Sequence, residues 1–254
     1  MSRRAQLLLF AAAGACLFVV LLLGLHGLPR FGGYHGVYGH RVERVELPAR
    51  HATDYVTALN FDLRAFDTLG EEFILFASVA GVALLLRHLR SDDEAERKAS
   101  LEDHSFAGAS EALRVLSLVL IPLVVALGVY LALHGALTPG GGFQAGVVLA
   151  AAPISILLAG RYLSLKHLAP DWALEALESV GAAGYTLIGV GGLIFATVFF
   201  ANFLPFGTPG MLLSAGMMPL ASIAVGIEVT AAFLLTWTEF LDQSLLGARE
   251  QSGQ

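Results

Sequence analysis

Two stretches of this chain carry no Asp, Glu, Lys or Arg over lengths that no water-soluble domain requires. They are residues 115–160, 46 positions, and residues 179–227, 49 positions. A helix needs about 20 apolar residues to cross roughly 30 Å of hydrocarbon, so each stretch holds two crossings with a turn between them. The turns are legible. Thr138-Pro139-Gly140-Gly141-Gly142 breaks the first stretch, and residues 202–210, with Pro205, Gly207, Pro209 and Gly210, break the second. A third charge-free run, residues 5–29, has 25 positions, about 37 Å of helix. Arg3 and Arg4 precede it, as in a signal peptide, but the run is long for one and no Ala-x-Ala site follows. A retained membrane helix is expected. Composition agrees: apolar residues make up 56% and charged residues 14%, against about a quarter charged in soluble domains.

The remaining apolar run, residues 73–86, has 14 positions, about 21 Å, too few to span alone. Arg87 and Arg90 can snorkel from one end. At the other end Glu71, and with it Asp67, is then expected at or below the interface, inside protein. Six spans result. Basic residues orient them. Arg3 and Arg4, the group Arg87, Arg90, Arg97, Lys98 and Arg114, then Arg161, Lys166 and Arg249 fall on one side, and the two tight hairpins opposite carry none. Both termini are expected in the cytoplasm, with the chain multi-pass in the membrane.

The expected fold is therefore all-α and polytopic, with six transmembrane helices. Between the first two, Ala52, Tyr55, Val56, Leu59, Leu63 and Phe66 recur at helical spacing, opposite Thr53, Thr57, Asn60, Arg64 and Asp67. This predicts an external amphipathic helix. The expected organisation is a two-helix module over 1–90, a polar cytoplasmic linker over 91–111, a four-helix domain over 112–244 and a cytoplasmic tail over 245–254.

Glu228 is the most informative residue. It lies eleven positions before Glu239, about 16 Å along a helix, which places it near mid-membrane. An ionised carboxylate there costs roughly 2.5–3.5 kcal/mol, so it titrates, pairs or faces a wet cavity; the alternative is a hydrogen-bonded lock between helices. Asp67 and Glu71 are four apart and share one helix face. Glu175 and Glu178 open the fifth span, where they complement the helix dipole, with Glu178 a secondary ion-path candidate. His26 and His134 close two spans and are secondary candidates, with an interfacial role the plainer reading. The glycines at 140–142 reverse the chain or present amides to an anion. Neither a phosphate loop nor a nucleophile beside a base occurs, and the one cysteine, Cys16, builds no metal site, so no enzyme activity, metal or cofactor is expected. A net charge of −6 speaks against a nucleic-acid partner.

Thr138-Pro139-Gly140-Gly141-Gly142-Phe143-Gln144 resembles the hairpin of the B-subunit family of Mrp (Mnh) multisubunit cation/proton antiporters. So do Asn202-Phe203-Leu204-Pro205, Leu212-Leu213-Ser214-Ala215-Gly216 and Val225-Gly226-Ile227-Glu228-Val229. The resemblance covers residues 112–241. Residues 60–71, which contain Asn60-Phe61-Asp62-Leu63-Arg64 and end on Glu71, are similar to the tail module of the large A-type subunit of the same antiporters, found also as a small separate subunit in membrane-bound hydrogenases. That likeness implies that Asp67 and Glu71 serve cation or proton passage. Together the resemblances imply a membrane subunit of a Na+/H+ antiporter, assembled with other membrane subunits in the lipid bilayer and contributing the cation path or its coupling interface. A subunit of a hydrogenase or related respiratory complex, and a purely structural assembly subunit, are the alternatives.

Overall fold

The computed structural model describes residues 3–28, 36–87, 110–158, 165 and 167–252. Residues 91–109 of the expected linker lie outside them, as do Arg90, Arg97, Lys98, Arg161 and Lys166 among the orienting basic residues. Every regular element among the described residues is helical. The chain forms two units, residues 1–41 and 42–254. The first contains α1 (Arg3–His26), exposed from Phe10 to His26, with Cys16 on its surface.

α2 (Val37–Val45) leads into a π-helical turn (Glu46–Arg50). A short α3 (Tyr55–Ala58) is capped by Asp54, whose Oδ2 accepts the Thr57 N–H at 2.8 Å, and runs into a second π turn (Leu59–Leu63). Four longer helices and one shorter one follow: α4 (Ala65–Arg87), α5 (Glu111–His134), α6 (Gly142–Leu158), α7 (Asp171–Ala196) and α8 (Met218–Ser252). Four of these are long and apolar enough to cross a membrane: Ala65–Leu86, Glu111–His134, Asp171–Ala196 and Met218–Leu241. The chain is a multi-pass membrane protein. α6, at 17 residues, is about 25 Å long and falls short on length alone.

α8 is the axis of the second unit. Nearly three quarters of its apolar window is buried, against less than a quarter in α4, α5 and α7. Glycine lets its neighbours close on it. A Cβ at Gly142 of α6 would lie 2.7 Å from Val225 Cβ and 2.9 Å from the Gly226 nitrogen, so only glycine permits this approach. The Thr138–Gly142 turn thus serves helix reversal, with Gly141 at φ +110°.

One end of the bundle is capped by three interlaced segments. The Thr53 and Asp54 amides donate to the Ala136 carbonyl at 3.0 and 3.2 Å, and Ser214 Oγ donates to the His51 carbonyl at 2.8 Å. His51 Nδ1 donates to the Gly207 carbonyl at 2.5 Å. The Asn202 amide bridges the last segment, donating to the Ala215 carbonyl and accepting from the Met217 N–H, both at 3.1 Å.

The structure differs from the sequence expectation over residues 52–67. The segment is broken into α3, a π turn and the start of α4, and its inward members are Ala52, Thr57, Ala58, Phe61 and Ala65. Of the apolar face of the expected helix, Tyr55, Val56, Leu63 and Phe66 are exposed, Leu59 is half-buried and Ala52 is buried.

Candidate functional site

α4 is longer than the expected 14-residue run because it continues through its acidic residues. Its inward face is Ala65, Thr68, Glu72, Leu75 and Val79, spaced 3, 4, 3 and 4. Glu72 therefore points into the bundle with 1% of its surface exposed, while its neighbour Glu71 points out. On α7, Glu178, Gly181 and Tyr185 share one face at i, i+3 and i+7. On α8, Val225, Glu228, Val229 and Ala232 are all buried, and Glu228 exposes nothing.

One hydrogen bond sets the level of these faces. Tyr185 Oη donates to the Ala65 carbonyl at 2.9 Å, tying α7 to the start of α4. Glu72 is seven residues beyond Ala65, and Glu178 is seven residues before Tyr185 on an antiparallel helix. Each lies about 10 Å from that tie, on the side away from the cap. Gly181 meets Glu228 directly, since a Cβ there would lie 2.6 Å from Glu228 Cβ and 2.6 Å from its backbone nitrogen. Three glutamates from three helices thus occupy one layer of the bundle.

Within the layer, Glu72 and Glu228 are neighbours whose carboxyls act on each other. The charges of Glu228 and Glu175 act on Glu178, and that of Glu71 acts on Glu72. Neither oxygen of Glu72 or Glu228 accepts a hydrogen bond from any other described group, and Glu178 Oε1 is equally unpartnered. Two adjacent carboxylates out of water cannot both stay ionised without a counter-charge. The site can therefore hold a shared proton or a small cation. Among the described residues no group of three or more His, Cys, Asp and Glu side chains is arranged to hold a metal ion.

The residues singled out from the sequence distribute unevenly. Glu228 is central and Glu178 joins it. Asp67 and Glu71 do share a face, but it is the outward one, and Asp67 pairs with Arg64. His134 ends α5 half-buried, stacked on Tyr130 at 4.3 Å, away from the glutamates. His26 ends α1, in the other unit. Glu72 is not among the sequence candidates, although its place in the 3–4 repeat of α4 marks it. Nearer the cap, Asp62 Oδ2 takes Arg50 Nε at 2.7 Å. Burial raises the Asp62 carboxyl above its usual range, against the pull of Arg50.

Residues 112–235 match the family described as a domain related to the MnhB subunit of Na+/H+ antiporters. An uncharacterised protein of Methanocaldococcus jannaschii is 33% identical over 235 residues, covering 83% of this chain and 87% of that protein. The chain belongs to the MnhB-related family. A probable K+/H+ antiporter A/B subunit of Rhizobium meliloti is 29% identical over 192 residues, which is 67% of this chain but only 18% of that longer protein. Among solved structures, a chain of an archaeal respiratory membrane complex, the membrane-bound sulfane sulfur reductase, matches with a TM-score of 0.70 and 27% identity. The match covers 93% of this chain and 98% of that one. The Mrp complex of a Dietzia species shares the fold at a TM-score of 0.71 and 20% identity, over 94% of this chain and 26% of the other. Both structures are of membrane complexes.

Proposed function

We propose that this MnhB-family chain is a non-catalytic subunit of a multisubunit cation/proton antiporter, exchanging Na+ for H+, and that the Glu72–Glu228 pair lies on its ion path. Glu178 serves as the adjoining acidic step. The observation that carries this is a pair of neighbouring buried carboxyls from two helices, none of whose oxygens has a hydrogen-bond partner among the described residues. A lock between helices would be built from satisfied partners, because unsatisfied buried polar groups destabilise. In this reading the chain has six spans in a prokaryotic cell membrane, both termini are cytoplasmic, and residues 51–63 with the two hairpins cap its outer end. The test is Glu72→Gln and Glu228→Gln in the assembled complex, with exchange followed against pH and normalised to complex recovered. Both variants should assemble, and both should slow exchange or shift its pH profile. Unchanged profiles in both would remove the pair from the path.

A second reading is favoured by the full-length match to a chain of the respiratory complex. There the same subunit would couple cation movement to a redox partner. Purification in mild detergent separates the two: antiporter-like membrane subunits alone support the first, and co-purifying iron–sulfur proteins support the second.

A further inference from the structure

The outward face of α4 is not built for lipid. Asp67 and Glu71 are both exposed there, one turn apart. Asp67 is answered by Arg64, but no basic side chain among the described residues answers Glu71. Glu71 lies six residues inside the helix, about 9 Å from Ala65, within the apolar span and beside the exposed Phe73 and Ile74. A lone carboxylate turned toward acyl chains at that depth is strongly disfavoured, so such residues face protein or a wet cavity. The same face is thin: a Cβ at Gly70 or Gly81 would meet nothing within 4 Å, and Ala77 and Ser78 between them are exposed. Small residues flanking a polar one let a second membrane helix pack closely and hydrogen-bond across. Behind Glu71 stands Glu72, buried, unpartnered and facing Glu228.

We infer that this face of α4 is a subunit interface whose occupant is a partner subunit's membrane helix carrying a Lys or Arg at the level of Glu71. Charge complementarity selects it. The apolar length of α1, residues 5–26, cannot supply that charge, since it contains no Lys or Arg and the arginines of α1, Arg3 and Arg4, stand at its very start. Seated on Glu71, one residue from Glu72, the partner's cation would bias whether the Glu72–Glu228 pair holds a proton or a cation. The interface is thus a side entrance to the buried pair. This rests on membership of a multisubunit complex and not on transport through the pair.

The experiment uses the intact complex in its native membrane, with a photoreactive benzoylphenylalanine replacing Ile74, one turn from Glu71. The expected adduct is with a membrane helix of another subunit, within one turn of a Lys or Arg. Glu71→Lys should lower recovery of that subunit by about tenfold or more, and reversing the partner's basic residue to Glu should restore it. Glu72→Gln should leave the adduct intact whatever it does to exchange, which separates this inference from the ion-path reading. Adducts with lipid or α1 alone, or wild-type recovery with Glu71→Lys, would overturn it.

Discussion

Two glycine-to-alanine changes three residues apart on α7 should act in opposite directions. At Gly181 an added Cβ would lie 2.6 Å from Glu228 Cβ, 2.6 Å from its nitrogen and 2.8 Å from its Cα. Van der Waals contact begins near 3.4 Å, so α7 must retreat from α8 by roughly 0.8 Å; the obstructing atoms are mainly backbone, and no rotamer change relieves them. Overpacking of this kind costs about 1–3 kcal/mol, only partly offset by up to ~1 kcal/mol from the better helix propensity of alanine. At Gly184 the added Cβ meets only Ala224 Cβ at 3.6 Å, an ordinary contact, leaving the propensity gain alone. The detergent-extracted complex carrying Gly181→Ala should therefore lose its size-exclusion peak at a lower temperature than wild type, and Gly184→Ala at the same or a higher one. Gly181→Ala should also slow exchange, because it displaces the Glu228 backbone. If Gly181→Ala melts at or above Gly184→Ala, the proposed contact between α7 and Glu228 is wrong.

Two further perturbations test the capped end. Arg50→Gln should destabilise by about 1–3 kcal/mol at neutral pH, less than a fully buried pair would lose because Arg50 is 37% exposed. Burial already raises Asp62 above its ordinary value, so its folded form binds a proton more tightly than the unfolded chain does; the Arg50→Gln deficit should shrink as pH falls through that raised value and be largest above it, which melting curves over a pH series would check. Tyr185→Phe removes the bond to the Ala65 carbonyl but keeps the ring packed between Phe61 and Phe200, so melting should report a loss of about 0.5–1.5 kcal/mol. A loss well beyond that would mean the hydroxyl holds more than this one bond.

The bundle is largely legible in the sequence because lipid forbids charge. The charge-free intervals locate α5, α6, α7 and α8, and the depth of Glu228 follows from counting residues to the charged end. The same rule misplaces the start of α4, because it treats Glu71 and Glu72 as a boundary. A membrane helix continues through a carboxylate when a neighbouring helix covers it, and α8 covers Glu72. The expectation for residues 52–67 is one continuous amphipathic helix, lying on the membrane surface or packed on a partner subunit. Here the small and polar members, Ala52, Thr57 and Ala58, face the cap, and Val56, Leu63 and Phe66 face out. The outside of this chain is lipid or another subunit, so apolar exposure costs little there. The π turns also shift the helical register, which no spacing rule anticipates.

Volume and chemistry lie apart in this bundle. Its cavity of about 490 Å³ runs between α5, α6 and α7 against α8, and the one polar side chain lining it, Thr230, already donates to the Gly226 carbonyl at 2.6 Å. Its walls are otherwise apolar side chains, so an ion entering it would find little to replace its hydration. The glutamates line no part of it. Glu228 sits instead where Gly181 of α7 lets backbones crowd α8, as Gly142 and Gly146 of α6 do against residues 222–229. Crowding removes water from around Glu72 and Glu228 and brings them together, and it is the absence of water that makes each depend on the other's proton. The glycines and the carboxyls are then parts of one device. On the ion-path reading proposed above, the path runs along the acidic side chains rather than through this cavity, and enlarging the glycines should impair exchange before the cavity is touched.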